Sequence, residues 1–209
     1  MLAIDHLVIV SKNPEKDAQQ FVEQHHAIAM EGGKHEKWGT YNFLAHFQND
    51  SYIEWLGIFD EELARKSNLP LVRNTVDSLD QGRTGLLTFA LRTSNLDAQL
   101  TYFKENQIPY SGPYPGMRKK IDGSTLSWKM LFPEDAENFP FLIEWGATEN
   151  KPDDAAKINP RNLNEITIPT DPSKYEDVFQ LKVRDDTIQL ENGRLLFTND
   201  EQSNFNLSE

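Results

Sequence analysis

Ile4-Asp5-His6-Leu7-Val8-Ile9-Val10 is a short apolar run with an acidic residue and a histidine set into it. Residues 3–11 are apolar on both alternating faces apart from that pair, which predicts a strand covered on both sides. Asn13-Pro14-Glu15 then opens a helix: asparagine caps it, proline fits the first helical position, and glutamate adds charge to the first turn. Ala18, Phe21 and Val22 recur at helical spacing and form its apolar stripe. His25 and His26 at its end suit the negative pole of the helix dipole.

Next comes Glu31–Thr40, a stretch punctuated by glycine that reads as a loop. It lacks the Gly-Lys-Ser/Thr ending of a phosphate cradle and leads into a strand, so it is not one. Tyr41–Gln48, the turn Asn49-Asp50 and Ser51–Ile58 predict a hairpin. Alternation along its second strand puts Tyr52, Glu54 and Leu56 on one face. A carboxylate among apolar neighbours needs a cation, a metal or a proton, because leaving it unpaired costs several kcal/mol. Residues 59–84 are more polar and read as one or two connecting helices and a loop.

The first strand and helix then return. Asn13 matches Asn95 and Phe21 matches Phe103, each 82 residues on, with a strand from Leu87 to Arg92 and a helix over Asn95–Asn106. Thr88 stands where His6 stood. Ile53-Glu54-Trp55 is echoed by Ile143-Glu144-Trp145, 90 residues on, and the eight extra residues fit in Pro109–Gly116 and Pro133–Pro140. Matched strand, cap, helix and tripeptide in one order argue for an internal duplication. A shorter third echo follows: strand Asn162–Pro169, cap Asp171-Pro172, helix Ser173–Leu181, and a hairpin of Thr187–Leu190 and Arg194–Thr198 around Asn192-Gly193. It shows no equivalent of the Ile-Glu-Trp strand, and Asn199–Glu209 reads as a frayed polar tail.

The expected fold is therefore α+β. Tandem βαβββ modules (1–58 and 85–148, joined by 59–84) form a curled mixed sheet with a cleft. A truncated βαββ unit (149–198) and a tail (199–209) follow.

Bulk properties narrow the function classes. The 209 residues carry 33 acidic against 21 basic side chains, a net charge of −12, which disfavours nucleic acid and anionic membrane as partners. No cysteine is present, which excludes disulfides, cysteine-ligated zinc and thiol nucleophiles. No signal peptide and no run near the length of a membrane span are expected, and a cytoplasmic soluble protein is the default.

Two βαβββ modules in one chain resemble the vicinal oxygen chelate superfamily, which includes glyoxalase, extradiol dioxygenases and bleomycin-resistance proteins. The resemblance is nearest to its glyoxalase-like domain branch. It rests on Asp5-His6-Leu7-Val8-Ile9, on Gly33-Lys34-His35 with Gly39-Thr40-Tyr41-Asn42, and on Tyr52-Ile53-Glu54-Trp55. It implies metal ligands on the first and last strands of each module: His6 and Glu54 from the first, Glu144 from the second. Thr88 departs from the pattern, being a poor ligand beside imidazole and carboxylates. His6, Glu54 and Glu144 could still hold a divalent ion with positions open to substrate.

Around that set, His35 is a candidate acid/base residue, as is a Glu144 released from the metal. Thr40, Asn42, His46 and Arg118 are candidate substrate contacts, and Arg92, Lys119 and Lys120 are further cations available to the carboxylates. Trp55 and Trp145, out of phase with their glutamates, are expected to pack beneath helices. Three readings follow. One is a divalent-metal-dependent isomerase or lyase acting on a small oxygenated substrate, a dioxygenase being less favoured without a second histidine. The alternative is a metal-free protein that binds or sequesters a small molecule. A third is a structural homodimer with a vestigial cleft.

Overall fold

The structure, a computed structural model, describes residues 1–119, 123–134, 139–148, 150–199 and 202–208. Lys120 and most of the loop before Pro140 lie outside the described residues. The first module runs β1 (Ala3–Val10), α1 (Pro14–His25), β2 (Met30–His35), β3 (Thr40–Phe47) and β4 (Tyr52–Ile58). Asn13 caps α1 through its side chain, which accepts from the Lys16 amide at 3.1 Å, and Pro14 takes the first turn. The connecting segment forms α2 (Glu61–Arg65) and α3 (Pro70–Asp80). The second module runs β5 (Gly85–Arg92), α4 (Leu96–Glu105), β6 (Tyr110–Lys119), β7 (Thr125–Pro133) and β8 (Phe141–Trp145). Asn95 caps α4 as Asn13 caps α1.

These eight strands form one sheet in the order β2-β3-β4-β1-β5-β8-β7-β6, with β9 (Ile158–Asn159) beside β3. The sheet curls until its two end strands meet: Arg118 on β6 lies against Gly33 on β2, where a Cβ would come within 3.4 Å of the guanidinium. Gly33, with a φ of +142°, adopts a conformation open to glycine.

The duplication is written into the central ladder. Antiparallel β1 and β5 pair Leu7 with Phe89, Ile4 with Leu91, Ile9 with Leu86, His6 with Ala90 and Val8 with Thr88. Each pair turns into another, or into itself, when a residue of β1 is exchanged for the one 82 further on. The irregularities obey the same exchange. Asp5 is the extra residue between Ile4 and His6, and Leu87 is the extra residue between Leu86 and Thr88. The two form mirror-related β-bulges.

That register corrects the second landmark. Val8 pairs with Glu54 on β4, and its counterpart Ala90 pairs with Phe141 on β8. Phe141, not Glu144, therefore occupies the place of Glu54. The Ile-Glu-Trp identity is displaced by three residues, and an odd shift along a strand sends every side chain to the opposite face.

Three other expectations change. Met30–His35 is a strand rather than a loop, its polar residues being tolerated because it pairs only with β3 and ends the sheet. The Pro/Gly-rich stretch 109–116 lies largely in β6, and prolines are accommodated because β6 is the opposite edge. The C-terminal unit is fuller than expected. After β10 (Asn162–Ile168) and α5 (Ser173–Phe179) come three strands, β11 (Val183–Arg184), β12 (Thr187–Gln189) and β13 (Arg194–Phe197). The expected tail contributes β14 (Asn204–Ser208), with Phe205 and Leu207 packed against the core. The second sheet has the order β11-β12-β13-β10-β14. Its β10–β14 ladder has the register of β1–β5, with a bulge at Asn164 where β1 has Asp5.

Two apolar cores result. One joins the outer face of the large sheet to α1, α4 and the second sheet; there Trp55 packs 5.1 Å from the ring of Phe21, beneath α1 as expected. The other fills the inside of the curl, where Leu71, Val72 and Val76 of α3 meet Leu56, Met130 and Phe141. Among the described residues no helix is long and apolar enough to cross a membrane.

Candidate functional site

The bulge at Asp5 brings two successive side chains of β1 together. Asp5 Oδ1 lies 2.6 Å from His6 Nδ1, and both residues are buried. Asp5 Oδ2 accepts a hydrogen bond from Trp145 Nε1 at 2.9 Å and faces Arg92 at 3.3 Å. Burial alone would raise the Asp5 carboxyl. The His6 hydrogen bond, the charges of His6 and Arg92 and the Trp145 hydrogen bond outweigh it and hold the pKa below the ordinary carboxylate range. A carboxylate held ionised on Nδ1 orients the ring and directs His6 Nε2 inward.

Inward of Nε2 lies Glu54 Oε2, 3.6 Å away, too far for a hydrogen bond. The other carboxylate oxygen accepts from Asn42 Nδ2 at 2.5 Å. Asn42 is set by backbone geometry. Gly32 is the extra residue of a bulge in β2, and a Cβ there would lie 2.3 Å from Asn42 Oδ1, so glycine leaves room for the amide. The His6 ring stacks on Tyr52 at 4.5 Å and meets Phe141 edge-on at 5.5 Å. His6 and Glu54 thus line a cavity of about 50 Å³ inside the curl, with Leu71 and Val72 of α3 among its walls.

Of the expected site residues, the cavity gathers His6, Glu54, Asn42, Thr40, His35 and Arg118. His35 Nδ1 lies 3.0 Å from Thr40 Oγ1, and burial lowers the pKa of His35, favouring a neutral ring. Arg118 donates to Asn150 Oδ1 at 3.1 Å; burial lowers its pKa while Tyr52 and Glu54 oppose that. His46 lies outside the cavity, 5.1 Å from the Tyr52 ring, and burial pushes its pKa down to about 4. Glu144 is not brought to this place. It sits opposite Lys129 of β7 and lines outer surfaces, whereas its neighbours Ile143 and Trp145 face the cavity. Trp145 therefore lines the cleft instead of packing beneath a helix.

Sequence reasoning missed Asp5, Tyr52, Trp145 and Asn150 as site residues. Asp5 was visible as a charge in an apolar strand, but alternation sends it away from His6, and only the bulge reverses that. Asn150 and Trp145 depend on a register that the repeated tripeptide misreported.

The divalent ion that the resemblance implies does not fit the residues present. His6 Nε2 and Glu54 Oε2 are the two donors facing each other. Asn42 Oδ1 is turned against Gly32, and the expected third ligand, Glu144, is on the other face. Among the described residues no three His, Cys, Asp or Glu side chains form a group able to hold a metal. A catalytic divalent centre generally takes three protein ligands, and two donors face each other here.

An eight-stranded curled sheet built from two mirrored βαβββ modules is consistent with the glyoxalase fold. The chain belongs to the glyoxalase-like domain family, whose model matches residues 4–178. Among solved structures it is similar to a hypothetical protein from Staphylococcus aureus, at 18% identity over 95% of this chain and 87% of that one, with a TM-score of 0.72. It is also similar to a variant of Streptomyces coelicolor methylmalonyl-CoA epimerase in complex with 2-nitronate-propionyl-CoA. There the identity is 17% over 70% of this chain and 96% of that one, with a TM-score of 0.51. A hypothetical protein from Bacillus halodurans gives 15%, 71%, 96% and 0.51 in the same order. At these identities the likeness is one of fold. No curated protein matches the chain.

Proposed function

We propose that this protein is a proton-transfer enzyme of isomerase or lyase type, acting next to the carbonyl of a small oxygenated molecule held in the cleft. The observation that carries the reading is the buried row Asp5–His6–Glu54, with 2.6 Å between the first pair and 3.6 Å between the second. The first distance fixes and polarises an imidazole. The second leaves a gap between two proton-active atoms, lined by an apolar wall that strengthens their electrostatics.

In this mechanism Glu54, steadied by Asn42, takes the proton from the carbon beside the carbonyl. Negative charge gathers on the carbonyl oxygen, and His6 Nε2–H donates to it while Asp5 balances the imidazolium. Return of the proton from Glu54 to the same carbon completes an epimerisation; its return to the adjacent carbonyl carbon, with the substrate's hydroxyl proton passing to the carbonyl oxygen, completes an isomerisation; departure of a β-substituent with its bonding electrons instead completes an elimination. In this reading the neutral His35 ring and the Arg118 guanidinium, which line the same cavity, hold a second oxygen of the substrate.

The test is solvent exchange. The protein is incubated in D2O with 2-oxo acids, 2-hydroxyaldehydes and methylmalonyl thioesters, and loss of the α-proton signal is followed by NMR. Exchange with at least one of these compounds, lost in His6→Ala and in Glu54→Gln, supports the reading. Exchange that survives both substitutions sinks it. The second reading, a small-molecule binding protein without turnover, is favoured by the facing pair His6 and Glu54, two donors where a catalytic divalent centre generally takes three, and saturable binding with no exchange is its signature.

A further inference from the structure

The cavity beside His6 has a volume of about 50 Å³, room for the few atoms of one carbonyl or carboxyl group. A molecule worth recognising must extend beyond it. We propose that the wide groove outside the cavity is a binding site for an anionic, planar organic molecule, an aromatic or conjugated acid whose narrow end reaches inward.

The groove has a volume of about 1010 Å³ and opens where β2 and β6 approach. Its floor is aromatic. Trp38 and Trp128 lie 6.2 Å apart at 59°, and Trp145 is 5.5 Å from Trp128. Gly116 of β6 lies flat on the Trp128 ring; a Cβ there would come within 2.2 Å of it. Met117 beside it is 71% exposed, a large apolar side chain left on the rim. Above the buried Trp38 and Trp128, the half-buried Trp145 ring and the exposed thioether of Met117 favour a flat, polarisable ligand.

Its charge runs against that of the whole protein. The walls carry Lys34, Lys37, Lys119 and Lys129 with Arg118, against the carboxylates of Glu36 and Glu144, in a chain of net charge −12. Lys34 Nζ sits 5.1 Å above the Phe59 ring and Lys37 Nζ 5.9 Å above that of Trp38. A cationic, aromatic groove on an acidic protein attracts an anion locally where the remaining surface repels it. His35, Arg118, Trp128 and Trp145 line both the groove and the inner cavity, so one molecule can span the two.

The orientation of the ligand's reactive end rests on the proton-transfer reading; the groove's preference is measured without it. Quenching of tryptophan fluorescence is titrated with 2-naphthoate, its neutral amide 2-naphthamide, and octanoate, an anion without a ring. The expected result is saturable binding of 2-naphthoate at least about tenfold tighter than either of the others, weakened about tenfold in the double variant Lys34→Glu, Lys119→Glu. The fold of that variant is checked by thermal melting. Equal affinity for the amide or for octanoate, or an unchanged affinity in the double variant, overturns the proposal. His6→Ala separates it from the catalytic reading: the groove predicts retained 2-naphthoate binding whether or not proton exchange is found.

Discussion

Asn49 and Asn192 occupy matching hairpin turns, and each completes the backbone of the other unit's first strand. Asn192 accepts from the Ile4 amide at 2.8 Å and donates to the Ile4 carbonyl at 2.9 Å. Asn49 donates to the Leu163 carbonyl at 2.8 Å and accepts from the Leu163 amide at 3.3 Å. Ile4 and Leu163 each stand one residue before a bulge. Each also lies beyond the start of its parallel partner strand, since those ladders begin at His6 and Glu165. Their backbone groups would otherwise be orphaned inside the protein.

Asn192→Ala removes both partners of Ile4 and leaves its N–H and C=O unpaired. The expected loss is about 2–6 kcal/mol, at about 1–3 per buried orphan. Urea denaturation measures it. Asn49→Ala costs a similar amount, and the two losses should not be strictly additive, because the turns touch: each side-chain amide also donates to the other residue's backbone carbonyl.

Acid should destabilise the protein well before its carboxylates titrate. Burial holds the pKa of His46 down to about 4 in the folded protein, against about 6.5 for a free imidazole. The unfolded chain then binds the extra proton, so stability is full above pH ~6.5 and is lost as pH falls toward 4. The His46 share reaches about 3 kcal/mol at the shift of about 1.4 kcal/mol per unit. His46→Phe, which keeps a ring beside Tyr52, flattens this part of the stability–pH curve. His35, lowered by burial in the same direction, accounts for part of what remains.

Gly32→Ala tests how Glu54 is held. The new methyl meets Asn42 Oδ1 at 2.3 Å, and the amide must move. A stability loss of about 1–3 kcal/mol is expected from overpacking. Proton exchange should fall together with it as Glu54 loses its Asn42 hydrogen bond. Unchanged exchange at full stability would show that Asn42 does not position the carboxylate.

Asp5→Asn keeps the shape and removes the charge behind His6. Exchange should drop by about 10²-fold or more, the scale of a disabled acid–base group, with a shifted pH–rate profile. A merely structural Asp5 would lower stability and leave that profile where it was.

Glu144→Gln should leave exchange within about twofold, and chelator treatment should do the same, because Glu144 faces away from His6 and Glu54. Exchange abolished by chelator and restored by one added divalent ion would return the metal to the mechanism.

Much of this was legible in the chain. The caps Asn13 and Asn95 and the spacing of 82 residues are local signals, and the ladder between β1 and β5 reproduces them residue for residue. His6 and Glu54 were likewise marked by polar character in apolar strands, and Thr40 and Asn42 by the family-like loop pattern, and the cavity gathers all four. What stayed hidden depends on partners distant in sequence. A bulge exists only relative to the strand opposite, so Asp5 could not be placed from its own neighbours. Glu144 shared a tripeptide with Glu54, yet the ladder to β5 sets its phase. The strands β2 and β14 have weak patterns of their own and are held by pairing with β3 and β10.

The bulge itself occurs at Asp5, at Leu87 and at Asn164, so the backbone device is present in triplicate while the His–Glu pair of the proposed site is present once among the described residues. Geometry and chemistry are separable in this fold. Silencing the site takes a single side-chain change. Arming the mirror position would take three, at Leu87, Thr88 and Phe141, with no change of chain length or path.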